Sequence, residues 1–278
     1  MTRKLLALYG LKWNPFTPDV PAAALHVAPA VASFCGRVEH LAREGGFALV
    51  TGEPGVGKSV ALRILVEHLA AERDLKVGLF SRPQTHLADF YRELGDLFGV
   101  TLSPHNRWAG AKALREKWQA HLEGALWRPV LIVDEAQEMQ TAVLSELRLL
   151  ASTQLDSHIL LTVVLAGDGR LTERLRGADL LPLASRVRVR LPLERASAAE
   201  LEQCLQHALA QAGAPKLITP ELVSTLCEHA AGSRRTLMIM AGELLLAAAQ
   251  REARLLDEKL FLEVFAPPPV TTRAERRR

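Results

Sequence analysis

Eight residues, Gly52-Glu53-Pro54-Gly55-Val56-Gly57-Lys58-Ser59, narrow the choice of fold more than any other stretch of this chain. Ahead of them Phe47–Thr51 is a short apolar run of strand type. Behind them, from Lys58 to Arg73, Val60, Leu62, Ile64, Leu65 and Leu69 are spaced for burial along a helix. A strand that turns through glycines into a helix gathers free backbone N–H groups at one point, and the helix end adds positive potential there. Such a turn cradles phosphates. Glu53, Pro54, Gly55, Val56, Gly57, Lys58, Ser59 and Val60 are therefore the expected nucleotide-binding residues. Lys58 is expected to reach the β- and γ-phosphates, and the Ser59 hydroxyl to ligate Mg²⁺, so the cofactors implied are ATP and Mg²⁺.

A second motif supplies the partner chemistry. Val130-Leu131-Ile132-Val133-Asp134-Glu135 reads as a buried strand ending in two carboxylates. That pattern puts Asp134 at the carboxyl edge of a sheet, beside the phosphate turn, where it joins Ser59 in holding the metal. Glu135 is then placed to polarise an attacking water as general base.

Further strands are expected at Lys76–Phe80, Ile159–Ala166 and Val187–Leu191, with helices at His86–Phe98, Ala109–Leu126 and Met139–Ser152 between them. Near-continuous apolar strands alternating with helices predict an α/β core, a five-stranded parallel sheet covered by helices on both faces. After Pro192 only helical patterns remain: Ser197–Ala212, Pro220–Ala231, Arg235–Gln250 and Asp257–Phe265. The expected divisions are an N-terminal segment 1–45, an α/β core 46–192, a helical lid 193–265 and a basic tail 266–278. The first of these reads as irregular and proline-punctuated, with a helix near Ala30–Arg43.

Composition excludes several classes. With 49% hydrophobic and 23% charged residues the chain is globular, not disordered or fibrous. No apolar run approaches the ~20 residues that span a bilayer. Cys35, Cys204 and Cys227 are widely spaced and lack any CxxC, so they form neither a disulfide framework nor a metal site. A cytoplasmic protein with buried thiols is expected. The net charge of +3 is uneven: Arg273–Arg278 holds four Arg and one Glu, whereas 193–265 holds seven Lys/Arg against ten Asp/Glu. A basic end beside an acidic stretch hints at a polyanionic partner.

Arg186, Arg188 and Arg190 alternate at the start of the last strand and so share one face. They form either a basic edge strand or an arginine finger for a neighbour's γ-phosphate, with Arg186 the best placed. Gly232-Ser233-Arg234-Arg235 offers a further arginine at the start of a lid helix. The order of these parts resembles the AAA+ ATPases, and more narrowly their ExeA-like branch, which includes the transposition ATPases TniB, TnsC and phage Mu B. The residues carrying the resemblance are Tyr9-Gly10-Leu11, Asn14-Pro15-Phe16, Gly52–Ser59, Asp134-Glu135-Ala136-Gln137, Leu165-Ala166-Gly167, Arg186 and Gly232–Arg235.

The resemblance implies an adenine pocket around Trp13–Phe16, with Asn14 and Phe16 in it. It implies a first sensor at Asp168, a trans-acting finger at Arg186 and a second sensor at Arg235 or its neighbour Arg234. The branch usually carries Gly-Gln-Pro where this chain has Gly167-Asp168-Gly169. An acid near a γ-phosphate repels it unless paired, which implies slow, assembly-dependent hydrolysis. The resemblance further implies a homo-oligomeric ring or filament on double-stranded DNA, a transposase partner and a target-selection protein. His105, Asn106, Arg107, Lys112, Arg115 and Lys117 form a basic stretch, from which Arg107, Lys112 and Arg115 are the expected phosphate contacts. Two other readings are a secretion ATPase of ExeA type and a protein-directed switch of the helicase-loader kind.

Overall fold

The computed structural model describes residues 2–100, 107–124, 126–153 and 157–265. Its described residues fall into two compact units. One is Val27–Arg195, and the other is built from both chain ends, Met1–His26 with Ala196–Arg278.

The first unit is an α/β sandwich. Its sheet contains β1 (Gly46–Gly52), β2 (Leu75–Phe80), β3 (Arg128–Val133), β4 (Thr162–Gly167) and β5 (Val187–Leu193), in the order β2-β3-β4-β1-β5. Every pairing is parallel, with β1 in register with β4 from Gly46↔Thr162 to Thr51↔Gly167. β3 and β4 are buried along nearly their whole length, which is why they read as continuous apolar runs. Phe47, Leu49, Leu131, Val133, Val163 and Leu165 alternate onto one face. There they pack with Phe90, Leu94 and Phe98 of α4 (Leu87–Phe98), Leu114 and Trp118 of α5 (Arg107–Glu123), and Leu144 and Leu147 of α6 (Thr141–Leu150). The opposite face is covered by α2 (Pro29–Glu44), which buries Val31, Phe34, Cys35 and Val38, and by α3 (Lys58–Ala70), which buries Ala61, Leu65 and Leu69. Burial pushes the Cys35 thiol up to about 11, so it stays protonated and inert.

Two departures from the sequence reading concern this unit. The apolar run Ile159–Ala166 is not one strand: His158–Ile159 pairs antiparallel with Ser152–Thr153, and β4 begins only at Thr162. The polar helix α7 (Gly169–Arg176) and the short apolar helix α8 (Leu181–Ala184) fill the interval before β5, where no element was expected.

The second unit is all-helical. It holds α9 (Ala198–Ala212), α10 (Pro220–Ala230), α11 (Arg234–Gln250) and α12 (Glu258–Phe265), joined by α1 (Thr2–Tyr9) from the other end of the chain. Leu5, Leu11 and Phe16 are buried with Leu201, Leu205, Leu222, Leu226, Leu237, Leu244 and Phe261. Tyr9 Oη donates to Ala253 O at 2.9 Å and Lys12 N–H to Ala212 O at 2.9 Å. The stretch read as a single segment 1–45 is thus divided: residues up to His26 belong to the helical unit, and α2 lies on the sheet. The prolines at 267–269, the basic tail to Arg278 and the loop holding His105 and Asn106 lie outside the described residues.

Among the described residues, no helix is long and apolar enough to cross a membrane.

Candidate functional site

The carboxyl edge of the sheet gathers the site. After β1 the chain turns through Gly55, at φ 88°, and Gly57, at φ 107°. Gly57 caps α3 in the left-handed region, which an L side chain enters only with strain. The first-turn N–H groups of α3 then point out of the helix, since they have no acceptor within it.

Lys58 is 6% exposed, and its Nζ donates to Gly52 O at 2.9 Å and to Glu53 O at 3.1 Å. The ammonium is thus held inside the loop by the loop's own carbonyls, where phosphate oxygens can take over the same donors. Ser59 Oγ donates to Asp134 Oδ2 at 2.7 Å, across 75 residues of sequence. A hydroxyl and a carboxylate at this separation are hard oxygen donors of the kind Mg²⁺ takes alongside phosphate and water, so these residues fit the ion.

Asp134 is fixed by a second contact, its Oδ1 accepting Glu135 N–H at 2.9 Å. Glu135 adopts φ 51° and ψ 40°, one of three non-glycine residues with positive φ among those described. Backbone of this kind persists where surroundings enforce it and clusters at functional positions. The bend leaves the Glu135 side chain exposed at the sheet edge while Gln137 turns inward, 6% exposed. Gln137 Nε2 donates to Glu135 Oε2, a contact that sequence reasoning missed. The motif Asp134–Gln137 was visible in the sequence, but only the fold shows what the amide touches.

Asp168 stands at the end of β4 and caps α7: its Oδ1 accepts Arg170 N–H and its Oδ2 accepts Arg170 Nε, both at 2.9 Å. The hydrogen bond from the Arg170 side chain, with lesser help from its backbone and charge and from Lys58, holds the carboxyl below its usual range. The acid is therefore paired, and its repulsion of a nearby phosphate is offset by the guanidinium on it. Arg170 also reaches Glu138 at 2.9 Å.

Arg186 lies in the turn before β5, so strand alternation covers only Arg188 and Arg190, both exposed. Arg188 pairs with Glu44 at 2.6 Å, and Arg190 Nη2 donates to Ala184 O at 3.4 Å. A pair that nothing in the sequence signals joins Arg195, the last residue of this unit, to Glu53 of the phosphate turn at 2.9 Å.

The remaining expected residues are placed as follows. In the helical unit, Asn14 Oδ1 accepts Phe16 N–H at 3.0 Å and Phe16 is buried in that unit's own core. Arg235 is exposed on the first turn of α11, whereas Arg234 is half-buried near Glu200, His26 and Cys204. On α5, Lys112 pairs with Glu116 at 3.6 Å and lies over the Trp108 ring at 5.6 Å. Arg115 bonds Leu149 O at 2.6 Å, and the Arg107 side chain lies outside the described residues.

A phosphate turn, a serine bonded to the aspartate that ends a neighbouring strand, and the order β2-β3-β4-β1-β5 together define a P-loop nucleotide-binding fold. Residues 41–175 match a known family of AAA domains, AAA_22. Over 248 residues the chain is 31% identical to General secretion pathway protein A of Aeromonas hydrophila, a likeness covering 87% of this chain and 44% of that protein. The chain thus spans less than half the length of that relative. Among solved structures, Cdc6p from Pyrobaculum aerophilum matches 91% of this chain and 71% of its own, with a TM-score of 0.71 and 15% identity. The Aeropyrum pernix ORC1 protein in complex with DNA matches 90% of this chain and 67% of its own, with a TM-score of 0.67 and 17% identity. At such identities the likeness to the two structures is one of fold. The α/β fold expected from the motifs is borne out, and the secretion protein supports the ExeA-like branch.

Proposed function

We propose that this chain is an ATP-hydrolysing switch that assembles with copies of itself when ATP is bound and engages duplex DNA in that form. The observation that carries the reading is the convergence of Lys58, Ser59, Asp134 and Glu135 at one end of the sheet, with Ser59 and Asp134 already 2.7 Å apart. Lys58 exchanges its carbonyl partners for β- and γ-phosphate oxygens. Ser59 and Asp134 hold Mg²⁺, which supplies charge neutralisation at those phosphates. Glu135 orients water and accepts its proton. Arg186 of a neighbouring copy reaches the γ-phosphate and makes assembly depend on it. Loss of that phosphate removes the contacts that distinguish the two states, which is how a nucleotide biases an assembly.

DNA as the partner is supported by the resemblance to transposition ATPases and by the basic character of α5 and the tail. The fold shared with a protein solved in complex with DNA supports it too. In its finer form the reading is a transposition regulator that recruits a transposase and, with it, a target-selection protein. The 31% identity with General secretion pathway protein A favours a second reading, a secretion ATPase of ExeA type.

Fluorescence anisotropy of labelled duplex DNA with ATP, ADP and no nucleotide, at two salt concentrations, separates the two. Tight, salt-sensitive binding with ATP alone, abolished in Lys58→Ala and prolonged in Glu135→Gln, is the expected result. DNA binding absent under every nucleotide turns the assignment to the secretion reading.

A further inference from the structure

Gln137 is one of four polar or charged side chains buried among the described residues, and the reaction outlined above gives it no task. It stands in the 3-10 turn Ala136–Glu138 that follows β3. Both ends of its amide are engaged. Nε2 donates to Glu135 Oε2, and Oε1 accepts the backbone N–H of Asp168 at 3.3 Å. A carboxylate only accepts and a backbone N–H only donates, so a single orientation of the amide serves both partners.

The surroundings hold Gln137 in turn. Its backbone carbonyl accepts from Arg174 Nη1 at 2.6 Å, and Arg174 Nη2 donates to Thr141 Oγ1 at 3.2 Å. One arginine of α7 thereby fixes the turn after β3 and the start of α6. Space for the amide is left by Gly167: a Cβ at that position lies 2.7 Å from Gln137 Oε1 and 2.7 Å from Leu171 Cδ2. Burial, two side-chain bonds and a glycine kept clear for it are more than an incidental hydrogen bond needs.

The carboxylate it holds is otherwise loose. Glu135 is exposed, and an exposed glutamate spreads over several rotamers. With Oε2 anchored, Oε1 has no other partner among the described residues and faces the task of accepting a proton. A general base works only within hydrogen-bond reach of the water it deprotonates, so aiming the carboxylate is a condition of catalysis.

We propose that Gln137 is the positioning residue for ATP hydrolysis: its side chain ties the Glu135 carboxylate to the first N–H beyond β4, so that the β4–α7 junction sets the direction of the base. The inference rests on Glu135 being that base. A shift of α7 is then passed through one amide to the reacting water, without any change in the residues that hold the nucleotide.

The test uses the full chain and two variants. Gln137→Glu keeps the length and the acceptor but sets a second carboxylate against Glu135; Gln137→Met keeps the length and removes both polar ends. Melting temperature, the dissociation constant for a fluorescent ATP analogue and steady-state hydrolysis are measured for each, alone and combined with Glu135→Gln. The expected result is a fall in kcat on the order of 10- to 100-fold, the scale on which misaimed catalytic groups lose rate. Analogue affinity should be unchanged, and no further loss should appear in the Glu135→Gln background, because Gln137 acts through that carboxylate. Wild-type kcat in both variants overturns the inference. So does a loss that persists in full on top of Glu135→Gln, or one explained by weaker nucleotide binding. If Glu135→Gln itself hydrolyses like the wild type, the assignment of the base fails first and carries the inference with it.

Discussion

At the scale of single residues, the site depends on how each charge is accommodated. Lys58 is a buried cation whose ammonium donates to two backbone carbonyls of its own loop. Asp168 is a half-buried anion whose two oxygens are taken up by α7. The sign of its pH dependence follows from the direction of the shift: a carboxyl held below its ordinary range stabilises the fold above that range and loses the contribution as pH falls through the folded value. Asp168→Asn retains the cap and loses the charge pairing with Arg170. The gap between it and the wild type in urea unfolding should therefore be full at neutral pH and close as pH drops below about 4. Asp168→Ala loses the cap as well and should keep a deficit of about 1 kcal/mol even there. A gap that does not change with pH would show that the charge of Asp168 contributes nothing.

At the scale of elements, the strands and helices next to the phosphate turn were legible because each carries one strong period. β1, β3 and α3 needed only burial on two faces or on one stripe to be read. α7 was not legible: Gly169–Arg176 offers just Leu171 and Leu175 to the core, and its helicity rests on the Asp168 cap and on arginine contacts to distant residues. The division of Ile159–Ala166 was hidden for the opposite reason: every residue in it but Thr162 is apolar, and a lone threonine does not mark where the antiparallel pair ends and β4 begins. Among the site residues, Lys58, Ser59, Asp134 and Glu135 were readable from spacing, whereas the roles of Gln137 and Arg195 depend on partners that spacing does not reveal. α9 opens on a capping box, in which Ser197 and Glu200 bond each other's backbone. Ser197→Ala should destabilise the helical unit by about 1 kcal/mol in thermal or denaturant unfolding and leave nucleotide affinity unchanged. A change in affinity would give this cap a part in binding.

At the scale of the whole molecule, the proposed nucleotide binding and the proposed assembly can be measured separately. ATP with Mg²⁺ at 100 times its dissociation constant should stabilise the folded chain by about 2.7 kcal/mol, read as a rise in melting temperature. Arg186→Ala should keep that rise, because a finger acting on a neighbour's nucleotide adds nothing to binding within one copy. It should lose the ATP-dependent increase in mass seen by light scattering and the hydrolysis that grows with protein concentration. An Arg186→Ala chain that assembles normally would move the finger to another arginine.

The helical unit is made from the two ends of the chain, with residues 27–195 inserted between them. On the ribosome this imposes a timetable. The inserted unit has its whole sequence available first and can close its sheet, while Leu5, Leu11 and Phe16 have no core to enter until α9–α12 are synthesised. At the usual pace of about 5–20 residues per second, the stretch from Phe16 to the end of α12 takes roughly 12 to 50 seconds to make. Leu5, Leu11 and Phe16 are thus made before the inserted unit and sheltered after it, and that interval gives a chaperone its opportunity to act on them.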